Sequence, residues 1–451
     1  MPQSDRTSAE ALDLLATLLA RAKRAGADAA DALFVESAAL SHAQRLGNVE
    51  KLERAESRDL GLRVLIGRRQ AIVSSSDQDE KALAALVERA IAMARVVPED
   101  PFCGLAPEDR ILREVPALDI CDEAEPAPET LIERARACEE AARAVAGITN
   151  SEGAEAGWSL TRVALAATNG FAGGYRRSYH SLGVAVVAGE GTAMERDYDF
   201  STAVYGAELE APAVVGRSAG EKAVKRLNPK KLKTTKAPVI YDPRASNGIL
   251  GHLASAINGS AVARGTSFLK DKLGAAVLPP GMRVVDDPLR ARGQRSRPFD
   301  GEGIPTAKRN FVEDGVLASW LLDLRTARRL GLETTGHASR GTSAPPEPSP
   351  TNLYLEPGVL SPAALIKETG RGLYVTELIG FGVNGVTGDY SRGAAGFWIE
   401  DGTLAYPVSE ITIAGNLKDM FLALTAADDL VFRYGTNAPT LRIAEMTIAG
   451  A

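Results

Sequence analysis

The sequence predicts an α+β protein in which N-terminal α+β layers precede a β-rich C-terminal domain. In the N-terminal part, helical apolar stripes alternate with strand patterns, whereas turn signals and period-two alternation dominate the C-terminal part. At 451 residues the chain also exceeds the usual size of one domain. The predicted divisions are an N-terminal α+β domain (1–97), a linker region (98–130), a second α+β region with antiparallel strands (131–236) and a β-rich C-terminal domain (237–451).

The first layer is predicted from four local patterns. An apolar stripe indicates a helix that stops at Gly26, and ADALFVES indicates a strand. The segment 60–74 predicts two strands joined by a hairpin at Gly67-Arg68, and residues 80–95 predict an amphipathic helix.

The middle of the chain begins with Pro-rich, acidic stretches that we expect to be exposed linkers. Helical spacing then places Leu131, Ala135, Cys138 and Ala142 on one apolar face, so Cys138 is expected in a core. Period-two alternation follows from residue 151 to residue 205, with Asn169-Gly170 as a hairpin turn and a helix near 214–227.

The C-terminal half starts with a strand, VIYDP, that leads into a helix. Asp242 has the side chain to cap this helix and Pro243 suits its first turn. Beyond it, Asp314-Gly315 and Asp401-Gly402 predict hairpin turns. Short helices are expected at 323–330 and 362–369, while the Pro- and Ser-rich segment 336–350 could be a mobile flap or an ordinary exposed loop.

Composition argues against several function classes. The net charge of −6 disfavours nucleic acid as a partner, and we interpret the lysine run at 230, 231, 233 and 236 as a solvated linker. No apolar window reaches the ~18 residues of a membrane span, so no membrane association is expected. Three cysteines without paired spacing and an N-terminus without a signal pattern predict a cytoplasmic protein.

Motifs for catalysis are present only in fragments. The histidines (His42, His180, His252 and His337) include no two within five residues, so the sequence predicts no metal centre. GRSAG places Ser218 in a nucleophile-elbow pattern, but the surrounding residues favour a continuous helix. GFGVNG (380–385) lacks the following helix that a dinucleotide site needs, so its glycines are interpreted as turn and close-contact positions.

The block VNGVTGDYSRGAAGFWIEDG, with TNLYLEPG upstream and GTSFL after the residue-242 helix, resembles the TldD/PmbA family, and specifically its PmbA (TldE) branch. The resemblance covers essentially the whole chain. It implies a C-terminal domain of the TldD/PmbA type. It also implies a cytosolic heterodimer, in which a TldD-like subunit carries zinc on an HExxxH helix and the two subunits degrade or trim unfolded peptides.

The resemblance also implies what this chain lacks. When the GTS segments are aligned at Gly265-Thr266-Ser267, the two ligand histidines of TldD fall on Leu250 and Ser255, and its catalytic glutamate falls on Gly251. No catalytic residue, metal ligand or cofactor is therefore expected in this chain, and zinc is expected in the TldD-like partner. The candidates for a peptide groove or subunit interface are Thr387, Gly388, Asp389, Tyr390, Ser391 and Arg392.

Three functions remain open from the sequence. The favoured one is the non-catalytic subunit of a TldD/TldE-type metallopeptidase. The second is a homodimeric peptide-binding or regulatory protein without protease activity, which the family's label of DNA gyrase modulator would suit. The third is an independent hydrolase that uses Ser218. The roles of His252 and His337, and the natural substrates, are not predicted.

Overall fold

A computed structural model of the protein describes residues 3–450, with side chains from residue 9 onward. The helices in this range are α1 (Gln3–Arg24), α2 (Glu80–Val96), α3 (Pro128–Arg143), α4 (Pro212–Lys225), α5 (Pro243–Ala256), α6 (Gly259–Ala263), α7 (Leu324–Leu330), α8 (Pro362–Thr369) and α9 (Leu417–Leu422). The N-terminal strands are β1 (Ala29–Arg45), β2 (Asn48–Ile66), β3 (Arg69–Ser75), β4 (Ile148–Ala167), β5 (Ala172–Ala188) and β6 (Glu195–Ala203).

The strands of the C-terminal half are more numerous and mostly shorter. They are β7 (Thr235–Tyr241), β8 (Val284–Asp286), β9 (Arg309–Glu313), β10 (Val316–Leu317), β11 (Ala338–Ser339), β12 (Glu347–Pro348), β13 (Leu353–Leu355), β14 (Gly372–Ile379), β15 (Asp389–Glu400), β16 (Thr403–Asn416), β17 (Leu424–Ala426), β18 (Thr436–Asn437) and β19 (Leu441–Ala449). The predicted class, α+β with a β-rich C-terminal domain, is confirmed.

One six-stranded antiparallel sheet organises the N-terminal half, in the order β3-β2-β1-β4-β5-β6. Strand β1 pairs with both β2 and β4, so the sheet includes strands from both the 1–97 and the 131–236 regions. The sequence boundaries of the domains stay a prediction.

Four helices cover one face of this sheet. Helices α1 and α2 pack on the β1–β3 end around Leu15, Leu60 and Leu86, and α3 and α4 pack on the β4–β6 end around Leu131 and Val184. The opposite face packs only in part, where Phe171, Phe299 and their neighbours form a small core with the C-terminal domain. The rest of that face is open.

The predicted helix stop, hairpin turns and core cysteine of this half are confirmed. Gly26 ends the first helix region with φ +103°, a conformation that favours glycine. Gly67 (φ +57°) and Gly170 (φ +92°) lie in the predicted hairpin turns. Cys138 is fully buried in the α3 core, and burial raises its pKa to about 12.

The expected exposed linker is partly wrong. Residues between α2 and α3 form no helix or strand, but Ala106, Ile111 and Ile120 are buried. The amide of Leu112 donates to the carbonyl of Gly303 at 2.9 Å, and Arg328 donates to the carbonyl of Leu105 at 2.8 Å. The segment therefore connects the sheet to the C-terminal domain.

The turn between β1 and β2 is held by one buried carboxylate. Glu139 of α3, 1% exposed, accepts from the amides of Leu46 (2.7 Å) and Gly47 (3.1 Å), from the Ser151 hydroxyl (2.7 Å) and from the Gln44 amide (2.9 Å). Burial alone would raise the pKa of Glu139, but these hydrogen bonds outweigh it and hold the pKa below its usual value.

Glu139→Gln is expected to lower the free energy of unfolding at neutral pH by about 1–3 kcal/mol, because an amide nitrogen would face donors. A depressed folded-state pKa stabilises the fold fully above the unfolded value of about 4.3, and this contribution is lost as the pH falls through the folded pKa. Urea unfolding over a pH series should therefore show the gap between the two proteins narrowing in acid. A gap that stays constant down to about pH 3 would contradict the role assigned to this carboxylate.

The C-terminal domain contains a mixed six-stranded sheet, β16-β15-β14-β7-β19-β17, and a five-stranded sheet, β10-β9-β8-β13-β18. An additional β16–β19 pairing partly closes the larger sheet on itself. Asp242 caps α5 by accepting from the amide of Arg244 at 2.9 Å, as predicted. The predicted Asp-Gly turns are also confirmed, with Asp314 and Asp401 both at φ +50°.

Within residues 3–450, no helix is both long enough and apolar enough to cross a bilayer.

Candidate functional site

Helix α5 has an exposed face of small residues. Gly248 and Gly251 are only partly covered and Ser255 is exposed, whereas Leu250 on the inner side is 4% exposed in the C-terminal core. A Cβ atom added at Gly248 or Gly251 would meet no heavy atom within 4 Å. This face is therefore a shallow open surface.

The residues at the aligned metal positions do not fit zinc. Leu250 has no donor atom, Gly251 has no side chain, and the Ser255 hydroxyl donates to the carbonyl oxygen of Gly251 at 2.9 Å. Zinc sites use several thiolate, imidazole or carboxylate ligands around one point. Across the described residues no group of three or more His, Cys, Asp or Glu could hold a metal. A metal-free chain stays a prediction.

His252 lies beside this surface. Its ring is edge-on to the ring of Tyr390, with 5.9 Å between centroids. Burial, and secondarily the charge of Arg392, lower the pKa of His252, which favours the neutral ring at neutral pH. His337 lies elsewhere and is buried, with Nε2 3.1 Å from Asp286 Oδ2 and Nδ1 2.7 Å from the carbonyl of Thr335. It ties the 336–350 segment to β8.

The six residues predicted at a groove or interface span the end of the β14–β15 loop and the first residues of β15. Thr387 donates to Asp389 Oδ2 at 2.6 Å, and the amide of Asn416 donates to Asp389 Oδ1 at 3.1 Å. Both hydrogen bonds lower the pKa of Asp389. Gly388 is at φ +87°, where an added Cβ would lie 2.9 Å from Asn416 Oδ1.

The other members of the set differ in exposure. Thr387, Asp389 and Ser391 are exposed, Gly388 and Tyr390 are buried, and Arg392 is half-buried. Arg392 Nε donates to the carbonyl of Ile379 at 3.3 Å. The loop is thus ordered by its own hydrogen bonds beside α5.

Three large apolar side chains on this loop are exposed to solvent. Phe381 is 96% exposed, Ile379 60% and Val386 56%. The guanidinium of Arg392 lies 5.9 Å from the centroid of the Phe381 ring. Clustered exposed apolar residues mark interaction surfaces more often than isolated ones do. We call residues 379–392 the docking loop.

The GFGVNG motif lies in the docking loop and serves close backbone contact. Gly382 approaches β15 so tightly that an added Cβ would lie 2.1 Å from the carbonyl oxygen of Ser391. No helix follows Gly385, because the chain continues into β15. The interpretation of these glycines as turn and contact positions agrees with this geometry.

The GRSAG motif lies inside α4 and packs two helices together. Ser218 donates to Asp199, which also accepts from Lys222 at 2.7 Å. An added Cβ at Gly216 would lie 2.1 Å from the carbonyl oxygen of Cys138 on α3. A nucleophile elbow needs a sharp strand-to-helix turn. The geometry does not support Ser218 as a nucleophile.

Alanine substitutions at two helix glycines are expected to change the free energy of unfolding in opposite directions. Gly216→Ala is expected to lower the free energy of unfolding by about 1–3 kcal/mol, because α3 and α4 must separate. Gly248→Ala, its matched control on the open face of α5, should raise the free energy of unfolding by about 0.5–1 kcal/mol through helix propensity. Urea unfolding of the two variants measures both. Equal effects of the same sign would show that the α3–α4 contact is not limiting.

Sequence reasoning missed a concave surface on the open face of the N-terminal sheet. Three neighbouring cavities of about 400, 490 and 510 Å³ follow that face. The first two share Tyr179, Phe200 and Thr202, and the last two share Arg177 and Arg295 among their lining residues. We call these connected cavities the sheet groove. The alternating polar residues of β5 and β6 were the available signal.

Three family models match the chain and define its class. They are the PmbA/TldA metallopeptidase domain 1 (residues 30–94), central domain (121–227) and C-terminal domain (234–450). The protein is therefore an α+β protein of the PmbA/TldA metallopeptidase class.

Individual relatives narrow this class. The chain is 39% identical to metalloprotease PmbA of Escherichia coli O157:H7 over 94% of its length and 92% of that protein. It is 37% identical to a PmbA homolog of Haemophilus influenzae, over 95% of this chain and 94% of the other. The chain belongs to the PmbA/TldD family, in its PmbA (TldE) branch.

Solved structures share the fold over nearly the whole chain. A Bacteroides thetaiotaomicron protein, described as a modulator of DNA gyrase, matches with a TM-score of 0.89 and 28% identity, over 97% of this chain and 98% of that one. TldE from Thermococcus kodakarensis matches with a TM-score of 0.87 and 20% identity, over 97% of this chain and 100% of that one. At that identity the second match shows the fold alone.

Proposed function

We propose that this chain is the non-catalytic subunit of a two-subunit peptidase whose TldD-like partner carries the zinc. The observation that carries the proposal is the chemistry of α5. The positions aligned with the zinc helix hold Leu250, Gly251 and Ser255, which offer no set of zinc donors, and this helix lies within the matched C-terminal family domain. Family membership supports a peptidase setting, and the donor set argues that the catalytic ion belongs to another chain.

The sheet groove supports a role in holding substrate. Its walls combine aromatic side chains, such as Tyr179 and Tyr198, with arginines such as Arg177 and Arg196. A long shallow trough with these groups suits an extended chain better than a compact small molecule. We infer that unfolded peptides lie along it.

The docking loop supports a role in subunit contact. The loop lies beside α5, where the Tyr390 ring is 5.9 Å from the His252 ring, and it exposes Phe381, Ile379 and Val386. We propose that this surface meets the TldD-like partner, with Thr387 and Arg392 at its rim. A homodimer through the same surface is the alternative. We further propose a cytoplasmic setting, which the three free thiols, Cys103, Cys121 and Cys138, support.

The test compares the chain alone with the chain co-expressed with a TldD-like protein that carries HExxxH. We expect substoichiometric zinc and no hydrolysis of unfolded casein from the chain alone. With the partner, we expect stoichiometric zinc in the complex and hydrolysis that a chelator stops.

Ser218→Ala serves as the matched control and should leave the activity of the complex unchanged. Hydrolysis by the lone chain that Ser218→Ala removes would contradict the proposal and support the hydrolase alternative. Absence of any complex, together with peptide binding by a self-associated chain, would favour the homodimeric alternative instead.

A further inference from the structure

The third cavity of the sheet groove contains buried guanidinium groups with unused donors. The cavity, of about 510 Å³, lies between the sheet and the C-terminal domain and is within the range of about 300–1,000 Å³ typical of ligand sites. Arg340 lines it with a side chain that is only 1% exposed. One of its nitrogens, Nη1, pairs with Asp31, but Nε and Nη2 are buried without a hydrogen-bond partner among the described residues.

Arg297 shows the same feature on the neighbouring wall. Its Nε and Nη2 are buried, and neither has a partner in the described part of the chain. Buried polar atoms are nearly always satisfied, and an unsatisfied donor costs about 1–3 kcal/mol. Two such guanidinium groups in one cavity therefore indicate that something else accepts their hydrogen bonds. Arg177 and Arg295 line the same cavity and add positive charge.

The one carboxylate that lines the cavity is already occupied. Asp300 accepts from the amides of Glu302 (2.9 Å), Ile304 (3.0 Å) and Ala338 (3.1 Å). Burial also raises the pKa of Asp300. Four arginines and one carboxylate therefore line the cavity, which gives its lining an excess of positive charge.

Part of the cavity wall is apolar. Leu33, Val35, Val163 and Phe299 line it together with the ring of Tyr175. An inorganic anion or a sugar phosphate would leave this wall unused. A carboxylate attached to an apolar group satisfies both sides, because arginine forms paired hydrogen bonds with carboxylates.

We propose that this cavity binds a carboxylate of an extended peptide that lies in the sheet groove, namely the C-terminal carboxylate with an apolar last side chain. The cavity lies at one end of the connected groove, so the remaining peptide can extend along β5 and β6. This proposal rests on the peptide-holding role given above. An acidic side chain presents the same chemistry and is the other source of the carboxylate.

The test is peptide binding to the isolated full-length chain by fluorescence polarisation, without the partner. Three labelled hexapeptides are compared: one ending in Phe with a free carboxylate, its C-terminal amide, and an amide with an internal Asp. We expect the free acid to bind at least about 10-fold more tightly than the amide. If the Asp peptide binds as tightly as the free acid and both lose affinity in Arg297→Gln, the cavity accepts any carboxylate, and the assignment to the C-terminus is overturned.

Arg297→Gln is expected to weaken binding of the free acid about 10-fold and to leave binding of the amide unchanged. Arg297 Nε and Nη2 have no hydrogen-bond partner in the described part of the chain, so the variant breaks no hydrogen bond made by these atoms. Melting temperatures of both proteins are recorded, so that loss of folded protein is distinguished from loss of binding. Arg89→Gln, on the exposed side of α2, is the matched control and should change nothing.

Equal affinity for the free acid and the amide would overturn the proposal. An Arg297→Gln variant that keeps its preference for the free acid would overturn it too. This experiment measures binding and not hydrolysis. Either result would therefore leave the proposed role as a non-catalytic subunit unaffected, because that role has its own test.

Discussion

Asp31→Ala is expected to lower the free energy of unfolding by about 3–5 kcal/mol, because it leaves two buried guanidinium groups without their counter-charge. Asp31 is directly opposite Arg63 in the β1–β2 register, and Arg63 Nε donates to its Oδ2 at 2.8 Å. Arg340 pairs with the other carboxylate oxygen. The three side chains are 3%, 4% and 1% exposed, respectively.

This expectation follows from an asymmetry in buried ion pairs. Desolvation of a charge is costly, so a buried pair adds little net stability, but removal of one partner leaves an uncompensated charge. Burial alone would raise the pKa of Asp31, yet Arg340 and Arg63 outweigh it and hold the pKa below the usual value. The carboxylate is therefore charged at neutral pH, and two cations depend on it.

Unfolding in guanidinium chloride measures the loss of stability, and two further variants are compared with Asp31→Ala. Asp31→Asn keeps the size and one acceptor and should lose less stability than Asp31→Ala. Glu133→Ala removes the solvent-exposed pair with Arg136, whose side chains are 63% and 54% exposed, and should cause no measurable change. If Asp31→Ala lowered the free energy of unfolding no more than Glu133→Ala does, the ion pairs of Asp31 would not hold the sheet to the C-terminal domain.

Signals that act locally explain why many elements could be predicted. Asp242 and Pro243 start α5 through a side-chain cap and a fixed φ, and Asp401-Gly402 closes a hairpin through positive φ values. Each needs only two or three neighbouring residues. Cys138 was placed in a core by helical spacing alone, which the buried α3 face confirms.

The extent of β1 and β2 could not be predicted in the same way. Residues 48–58 of β2 are exposed on both faces, so burial imposes no apolar alternation on their charged sequence. Only pairing with β1 makes them a strand. A pattern that reports burial cannot detect a strand that buries nothing.

The third cavity of the sheet groove could not be predicted from the sequence for a different reason. Arg340 lies in the segment that the sequence suggested as a flap or exposed loop, yet its side chain is 1% exposed. Its partner Asp31 is 309 residues earlier in the chain, and Arg297 joins the cavity from a third segment. Contacts between residues so far apart in the chain produce no recognisable spacing pattern in the sequence. Family resemblance pointed instead to α5 and the docking loop, where motifs are contiguous.

Phe381→Asp is expected to weaken the complex with a TldD-like partner by about 30-fold or more, the range of an interface hot spot. The aromatic ring is 96% exposed, so it contributes little to the fold of the free chain and its melting temperature should not change. At an interface, the same position would bury an unpaired carboxylate, which is costly. Titration of the partner, followed by casein hydrolysis, measures binding and its consequence together.

Val359→Asp provides the matched control, because Val359 is 93% exposed and apolar but lies outside the docking loop. It should bind the partner as the unchanged chain does. If Val359→Asp weakened the complex and Phe381→Asp did not, the partner would meet another face. If Phe381→Asp instead altered only self-association, the docking loop would join two copies of this chain, as the homodimeric alternative requires. The exposed ring thus distinguishes the two assemblies through a single position whose loss leaves the fold itself intact.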